Sequence, residues 1–321
     1  MTELTIFYVA DIHGSDVCFR KWLNAAAFYG ADVLVIGGDL TGKVLLPIYP
    51  AVGNGEAWVA TWKEREHRLE TRAEVDELIR TARGDGAYGF VTTREEVAEI
   101  RGSIEREREV FRRLKLEALE GWLALADERL AGRPVQAYVM AGNDDPPEMD
   151  AVLAGSRTLR DVQGAVTQLA PGIWMASRGE STPTPWNTPR EVPDDELGAR
   201  VAAAIGGLPA GGTTIWNLHM PPHDTGIDRA PRLDADLRIQ YDGAGEPAMV
   251  PVGSGTIRSL IAEHQPTVAL HGHIHEGRGR YRIGATQGFN PGSQYQDGVL
   301  LGLLVRVSDR KGLRSAAFTA G

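Results

Sequence analysis

The sequence predicts a mixed α/β fold, because strand and helix patterns alternate early in the chain and paired strands close it. Residues 4–10 and 33–36 are apolar, β-branched runs typical of buried strands, with a helical pattern between them. This strand–helix–strand unit implies parallel neighbours and a right-handed crossover. Residues 299–307 and 313–319 flank a polar turn, which indicates a hairpin. Parallel and antiparallel pairs in one chain favour a mixed architecture.

The first helix is predicted at residues 17–29. Ser15 or Asp16 can cap its start, because either side chain can accept a bond from a free backbone N–H group. Apolar residues such as Phe19 and Trp22 recur on one face, as in a helix packed on a sheet. Gly30 is placed to end it.

Residues 43–130, here called the insertion, differ from their surroundings in dense charge and helical periodicity. We predict one helix at residues 56–82 and a second at 95–130. The second carries an apolar seam, the 97–125 seam, formed by Val97, Ile100, Ile104, Phe111, Leu114, Ala118, Trp122 and Leu125. Its alternating charges at 105–109 suit a solvated face with ion pairs between turns. We expect a helical insertion or lid within one discontinuous domain, residues 1–42 and 131–321.

Three later apolar runs, at residues 135–140, 213–218 and 267–270, predict further buried strands. Helices are predicted at 194–205, capped by Asp194, and at 256–264. Residues 181–193 contain four prolines and are expected to form a surface loop.

Composition and charge limit the classes of function. Lys plus Arg is 34 and Asp plus Glu is 43, giving a formal net charge of −9. Such an acidic chain is poorly suited to long nucleic acid or to an anionic membrane surface. The single cysteine, Cys18, cannot form an intramolecular disulfide. With neither a signal peptide nor an apolar run of membrane-spanning length, we expect a soluble cytoplasmic protein.

Seven side chains that can bind metal ions lie on short loops, and most of these loops directly follow a predicted strand. They are Asp11, His13, Asp39, Asn143, His219, His273 and His275. Residues two apart on an extended chain project to one side, so Asp11 with His13, and His273 with His275, can aim paired ligands into one space. Hard and borderline ligands converging from separate strand ends are what a two-metal hydrolytic site requires.

Asp39 is the natural bridging ligand, because its two carboxylate oxygens can span two cations. Asn143 would add a neutral carbonyl oxygen, which leaves the metals more Lewis acidic. Two ions about 3.5–4 Å apart can lower the pKa of a shared water and hold a phosphate for in-line attack. Each motif alone has an ordinary explanation, such as a turn or a cap. The ordered set at strand ends favours the metal site.

The motifs Asp11-x-His13, Gly38-Asp39, Gly142-Asn143, His219 and Gly272-His273-x-His275 resemble the five ordered motifs of the calcineurin-like metallophosphoesterases. The resemblance covers residues 1–42 and about 131–300, and the smaller bacterial phosphodiesterase-like members are the nearest in pattern. It implies a four-layer α/β/β/α sandwich with two mixed sheets and a dinuclear site at the strand ends.

The resemblance also implies the ligand sets. One metal is assigned Asp11, His13, Asp39 and His275, and the other Asp39, Asn143, His219 and His273. Family members use varied pairs of ions, so we expect two ions of manganese, iron or zinc, with nickel or cobalt as alternatives. Asn290, in a turn resembling that of the smaller bacterial members, joins Asn143 as a predicted substrate-binding residue.

One position departs from the family pattern, since Asp144 stands where the third motif usually has a histidine that contacts the phosphate and protonates the leaving group. An ordinary aspartate, with a pKa of about 3.9, is ionised at neutral pH and makes a poor acid. Three outcomes are open: its surroundings protonate Asp144, another residue such as His223 acts instead, or the substrate has a better leaving group. His271 is expected to support the ligands and not to bind metal.

These observations predict a dinuclear metal-dependent phosphoesterase with a metal-bridging hydroxide as nucleophile. A phosphodiesterase acting on a small or cyclic nucleotide-like substrate is favoured. The alternatives are a nucleotide phosphatase or nuclease, and a non-catalytic metal-bound scaffold that recruits a partner through the insertion. A homo-oligomer formed through the insertion is a further expectation about partners.

Overall fold

Two six-stranded sheets pack face to face in a computed structural model that describes residues 1–52 and 57–321. The first sheet contains, in spatial order, β18 (Gly312–Ala320), β17 (Leu301–Ser308), β1 (Glu3–Val9), β2 (Val33–Gly37), β7 (Gln136–Met140) and β8 (Leu159–Asp161). The second contains β15 (Gly279–Ile283), β16 (Thr286–Asn290), β14 (Val268–Leu270), β11 (Thr213–Leu218), β10 (Ile173–Arg178) and β9 (Val166–Ala170). In each sheet four adjacent strands run parallel and the remaining two pair antiparallel, so both are mixed as predicted.

Helices cover the outer face of each sheet. The first sheet packs against α1 (Asp16–Tyr29), the second half of α4 (Ile104–Leu130) and α5 (Met149–Leu153). The second packs against α6 (Asp194–Ile205) and α7 (Gly255–His264). The predicted α/β/β/α layering is therefore confirmed. No helix in the described part of the chain is both long enough and apolar enough to cross a bilayer.

Side chains along a central strand point alternately to the second sheet and to the covering helices, so both sets are apolar. In β1, Ile6 and Tyr8 face the second sheet, whereas Phe7 and Val9 face the helices. All four side chains are buried. Because a central strand is covered on both sides, it appears in the sequence as a continuous apolar run.

The insertion is not purely helical, which corrects the prediction. It contains β3 (Val44–Pro50), β4 (Trp58–Trp62), β5 (Arg65–Leu69), α2 (Arg72–Gly84), β6 (Ala87–Val91) and α3 (Arg94–Gly102) before α4. Its strands form a separate sheet in the order β5–β4–β3–β6. The predicted helix at 56–82 is wrong over the β4–β5 hairpin, and its first residue, Glu56, lies outside the described residues. Only the stretch from Arg72 is helical, capped by Thr71.

The predicted helix at 95–130 is two helices, divided at Ser103. This residue has extended backbone angles, and its hydroxyl caps α4 by accepting a bond from the Arg106 backbone N–H. Most of the 97–125 seam is buried or partly buried, but Ile104 is 63% exposed. Residues 110–118 of α4 pack on β6 and α3, whereas residues 119–130 pack in the core beside α1.

Several smaller predictions are confirmed and one is wrong. Ser15 caps α1, and Gly30 ends it with a left-handed backbone. The final hairpin is β17–β18. Helix α6 begins where expected, but Asp194 does not cap it, because its carboxylate accepts bonds from Ser254 and Thr256 at the start of α7. Between β11 and α7, β12 (Arg229–Pro231) and β13 (Met249–Pro251) form a short two-stranded sheet.

Candidate metal centre

The seven predicted metal ligands follow the carboxyl ends of five parallel strands. β1, β2 and β7 of the first sheet lead to Asp11 and His13, to Asp39 and to Asn143. β11 and β14 of the second sheet lead to His219 and to His273 with His275. Carboxyl ends of parallel strands are where open α/β sheets bind ligands.

Asp11, His13 and His275 form one compact group. The Nε2 atoms of His13 and His275 are 3.0 Å apart. The Oδ1 atom of Asp11 lies 3.9 Å from His13 Nε2 and 3.7 Å from His275 Nε2. Tyr295, which sequence reasoning missed, packs its ring against both imidazoles at centroid distances of 4.8 and 5.9 Å. The structure thus brings together three side chains assigned to the same metal.

Asp39, His219 and His273 form a second group, joined by Asn143. The amide oxygen of Asn143 lies 3.2 Å from His219 Nε2 and 2.8 Å from His273 Nδ1. Asp39 Oδ2 lies 3.4 Å from His219 Nε2 and 3.7 Å from His13 Nε2. The Asp39 carboxylate therefore faces both groups, as a bridging ligand must.

Four of these residues have left-handed backbones that side-chain-bearing residues rarely adopt. The φ angles are 56° for Asp11, 38° for His13, 53° for Asp39 and 66° for His273. Each such residue costs roughly 1–3 kcal/mol and persists only where its surroundings fix it. Such strain concentrates at functional sites.

Backbone bonds between loops hold this strained geometry. The N–H groups of Asp11 and His13 donate to Gly38 and Asp39 carbonyls at 3.1 and 3.0 Å. The His273 N–H donates to the Asp11 carboxylate at 3.0 Å. The loops after β1, β2 and β14 are therefore tied to one another as well as to their own strands.

Two glycines allow these loops to approach closely. A Cβ atom at Gly142 would lie 2.2 Å from Asp39 Oδ1, and one at Gly272 would lie 2.5 Å from Asp11 Oδ2. Both distances are far inside van der Waals contact. Any larger residue would push a carboxylate out of the ligand groups.

Asp145 supports two ligand loops at once, and sequence reasoning assigned it no role. It is fully buried. One carboxylate oxygen accepts bonds from the backbone N–H groups of Leu40 and Gly142, and the other from the N–H and hydroxyl of Thr41. The carboxylate thus joins the loop carrying Asp39 to the loop carrying Asn143. Its only signal in the sequence is its place two residues after Asn143.

Asn290, which the sequence predicts to bind substrate, contacts the backbone of the ligand loops in the folded chain. It is completely buried, and its amide donates to the carbonyls of Gly272 and Ile274 at 3.1 and 2.9 Å. Its side-chain oxygen accepts the Gly292 N–H at 2.8 Å. Both amide hydrogens of Asn290 are therefore used by the backbone around His273, and its predicted role in substrate binding gains no support.

Burial shapes the protonation of the first ligand group. It raises the pKa of Asp11 to about 7, and it lowers the pKa of His275 to about 3 and that of His13 well below its usual value. A neutral imidazole is the form that binds a metal. Buried carboxylates need compensating positive charge. This donor set therefore fits metal cations.

His219 differs from the other histidines of the site. Burial alone would lower its pKa, but the Asp39 and Asp11 carboxylates outweigh that effect and raise it to about 9. Its Nδ1 lies 2.9 Å from the Gly37 carbonyl, which orients the ring so that Nε2 points at the cluster. A metal bound at Nε2 would displace that proton.

Asp144 lies beside the ligand groups as a carboxylate. Burial favours its neutral form, but the ammonium of Lys43, 2.5 Å from Oδ2, outweighs this and lowers the pKa of Asp144. The surroundings thus favour the ionised form of Asp144 over the protonated form that one of the three open outcomes requires. A second lysine, Lys115 of α4, donates to the Asp144 carbonyl at 2.9 Å. Both lysines belong to the insertion, and sequence reasoning missed both.

The two remaining histidines of interest lie differently. His223 has a side chain 45% exposed and lies 3.9 Å from Asp228; within residues 1–52 and 57–321 it has no hydrogen bond or ion pair to a ligand or to Asp144. Its predicted role as an acid therefore gains no support. His271 is buried between backbone carbonyls and the hydroxyl of Tyr281, in the supporting position expected.

The loop at residues 181–193 is closer to the site than expected for a surface loop. Thr188 accepts a bond from the Asn143 amide at 2.9 Å, and Arg190 donates to the carbonyls of Asp145 and Pro146. Trp186 nevertheless remains 64% exposed. This loop therefore fixes the orientation of Asn143.

Comparison with known proteins identifies the fold. No family model and no curated protein matches the sequence. The structure is similar to TT1561 of Thermus thermophilus, with 14% identity, a TM-score of 0.53, and coverage of 100% of this chain and 99% of that one. A second solved structure has 14% identity, a TM-score of 0.55 and 99% coverage of both chains.

YfcE, a phosphoesterase from E. coli, overlaps more weakly, with 10% identity, a TM-score of 0.34 and 98% coverage of both chains. The chain shares its fold with the first two of these proteins. Its five ordered motifs, which lie at the ends of parallel strands, resemble those of the calcineurin-like metallophosphoesterases.

Proposed function

We propose that this protein is a metal-dependent phosphoester hydrolase. The observation that carries the proposal is the Asp39 carboxylate, which lies within 4 Å of His219 on one side and His13 on the other. Two donor groups sharing a carboxylate suit a pair of ions. Bound there, such a pair would supply Lewis acidity and activate a shared water for in-line attack on phosphorus.

The protein's own residues fix this arrangement before any substrate arrives. Asp11, His13, Asp39 and His219 are almost completely buried, so little water competes at the donor atoms. Asn143 places an uncharged oxygen between His219 and His273. The mixture of imidazole nitrogen and carboxylate oxygen suits manganese, iron or zinc.

We also propose that the preferred substrate is a small phosphodiester, such as a cyclic or nucleotide-like one. The Lys43 ammonium favours the ionised form of Asp144, and an ionised carboxylate cannot protonate a departing alkoxide. A diester with a good leaving group does not depend on such an acid.

The scaffold alternative has little support, because the 97–125 seam is largely covered by the protein itself. Trp122 is 5% exposed and Leu114 is 8% exposed. Long nucleic acid also fits poorly with a net charge of −9. Catalysis on a small substrate is the function that these features favour.

The test is hydrolysis of bis-p-nitrophenyl phosphate and p-nitrophenyl phosphate by protein reconstituted with Mn²⁺. We expect turnover of both, with the larger kcat/KM for the diester. Asp39→Asn should lower kcat/KM more than about 100-fold, beyond the range usual for residues that only support ligands. Asp127→Asn, at an ion pair with Arg157, is the matched control and should keep the activity.

Metal content measured by elemental analysis accompanies each assay. No turnover of either ester by protein that holds its metals would contradict the proposed hydrolase. A larger kcat/KM for the monoester would instead support a phosphatase and contradict the diester preference.

A further inference from the structure

The pair formed by Lys43 and Asp144 lies at the rim of the ligand groups. The Lys43 ammonium is 2.5 Å from Asp144 Oδ2, and this oxygen is 3.9 Å from His13 Nδ1. The backbone N–H of Asp144 donates to Asp39 Oδ1 at 3.0 Å. Asp144 thus contacts two residues of the ligand groups, one through its carboxylate and one through its backbone, and its carboxylate pairs with Lys43.

The lysine lies on the solvent side of this pair. The Lys43 side chain is 40% exposed, whereas that of Asp144 is 11% exposed. In the part of the chain that the structure describes, Asp144 is the one carboxylate paired with Lys43. An ammonium group has three donors, so donors remain for a ligand that enters from solvent.

Asp144 is fixed from several directions. Lys115 donates to its carbonyl at 2.9 Å, and the Lys115 ammonium is itself placed 5.1 Å above the Phe111 ring. The Asn143 amide approaches its other carboxylate oxygen at 3.4 Å. A carboxylate held this firmly can position a flexible lysine.

Stability alone does not account for this arrangement. A partly exposed ion pair typically contributes about 0–1 kcal/mol. A cation beside a pair of metal ions would instead be repelled by them, and Asp144 offsets only part of that repulsion. An anionic ligand that contacts both the metals and Lys43 removes the conflict.

We propose that Lys43 binds a phosphoryl oxygen of the substrate and that Asp144 is the positioning residue that holds it there. The inference rests on the proposed function for its substrate class. Its site, however, can be probed by phosphate binding alone.

The experiment is calorimetric titration of inorganic phosphate into metal-loaded protein. Lys43→Met should raise the Kd for phosphate by about tenfold or more, the effect of losing a hydrogen bond to a charged group. Lys43→Arg should retain most of the affinity, because a guanidinium also binds phosphate. Lys63→Met is the matched control, since Lys63 pairs with Asp85 at 2.8 Å in the same insertion, and it should leave Kd within about twofold.

A double-mutant cycle tests the role of Asp144. Asp144→Asn should weaken phosphate binding, and Lys43→Met should have a much smaller effect in that background, because the lysine is no longer positioned. Full additivity would overturn the positioning role. An unchanged Kd in Lys43→Met, or loss of metal from that variant, would overturn the phosphate contact.

Failure of this inference and failure of the proposed function give different results. If Lys43→Met weakens phosphate binding but no ester is hydrolysed, the binding site is supported and the hydrolase is contradicted. If esters are hydrolysed with the same KM by Lys43→Met and the unaltered protein, the hydrolase is supported and the Lys43 contact is overturned.

Discussion

The ligand loops and the insertion reach the same site by different routes. Every ligand lies within a few residues of a strand end, and its loop has one local arrangement fixed by backbone bonds to neighbouring loops. The insertion reaches the site from two distant positions, Lys43 before β3 and Lys115 in the middle of α4. The loops therefore supply the metal donors, and the insertion supplies the positive charge beside them.

The insertion is itself divided. Its strands and α2 enclose a small apolar cluster of their own, which includes Leu46, Ile48 and Val75. The last part of α4 instead belongs to the main core, where Trp122 stacks on Phe19 at a centroid distance of 4.3 Å. The insertion, taken to end at residue 130, therefore includes the last part of α4, which covers the first sheet. Mutations in each region test whether the ligand loops and the insertion contribute differently to stability and metal binding.

The largest effect is expected from Trp122→Ala. The ring is 5% exposed, stacks on Phe19, and donates a 2.6 Å bond to Asp16. Its loss should reduce the free energy of unfolding by about 3–5 kcal/mol, as for other large-to-small core substitutions. Urea denaturation of metal-free protein measures this. A change below about 1 kcal/mol would mean that α4 is not part of the core.

An intermediate effect is expected from Asp145→Asn. The amide that replaces one oxygen cannot accept, so two buried donors of the ligand loops lose their partner, at a cost of about 2–4 kcal/mol in stability. Metal affinity should fall about 10–100-fold, since the ligands lose their support. Competition with a chelator measures the affinity.

The control for this experiment is Asp76→Asn, because Asp76 forms an exposed ion pair with Arg72 on α2, away from the ligand loops. It should change stability by less than about 1 kcal/mol. Equal metal affinity in Asp145→Asn and the unaltered protein would show that the two loops hold their positions without this carboxylate.

The smallest effect is expected from Ile104→Ser. The sequence pattern assigns Ile104 to the same seam as Trp122, yet the side chain is 63% exposed at the start of α4. The free energy of unfolding should change by less than about 0.5 kcal/mol. A loss comparable with that of Trp122→Ala would show that Ile104 is covered in solution, for instance by a second copy of the chain.

The sequence determined the elements whose signals are local. The central strands are buried on both faces and therefore appear as apolar runs, and α1 is bounded by a serine cap and a glycine. Because ligands follow strands directly, predicting the strands also predicted that Asp11, Asp39 and His219 would meet.

Where the local signal was absent or misleading, the prediction failed. The β4–β5 hairpin turns at Lys63 and Glu64, with φ angles of 49° and 62°. Such a turn normally carries asparagine or glycine, so nothing in the sequence marked it. Trp58, Ala60 and Trp62 of β4 pack in the insertion's own cluster, and this tertiary contact outweighed the helical pattern.

Only the tertiary structure decided how the site is supported and charged. Asp145, Asn290, Lys43 and Lys115 are ordinary polar residues in the sequence, and their roles depend on which distant backbone or side chain each one meets. Burial and electrostatic pairing arise from packing between segments far apart in the chain. The sequence pattern identifies the candidate metal donors, but the charges and hydrogen bonds around them come together only when the chain folds.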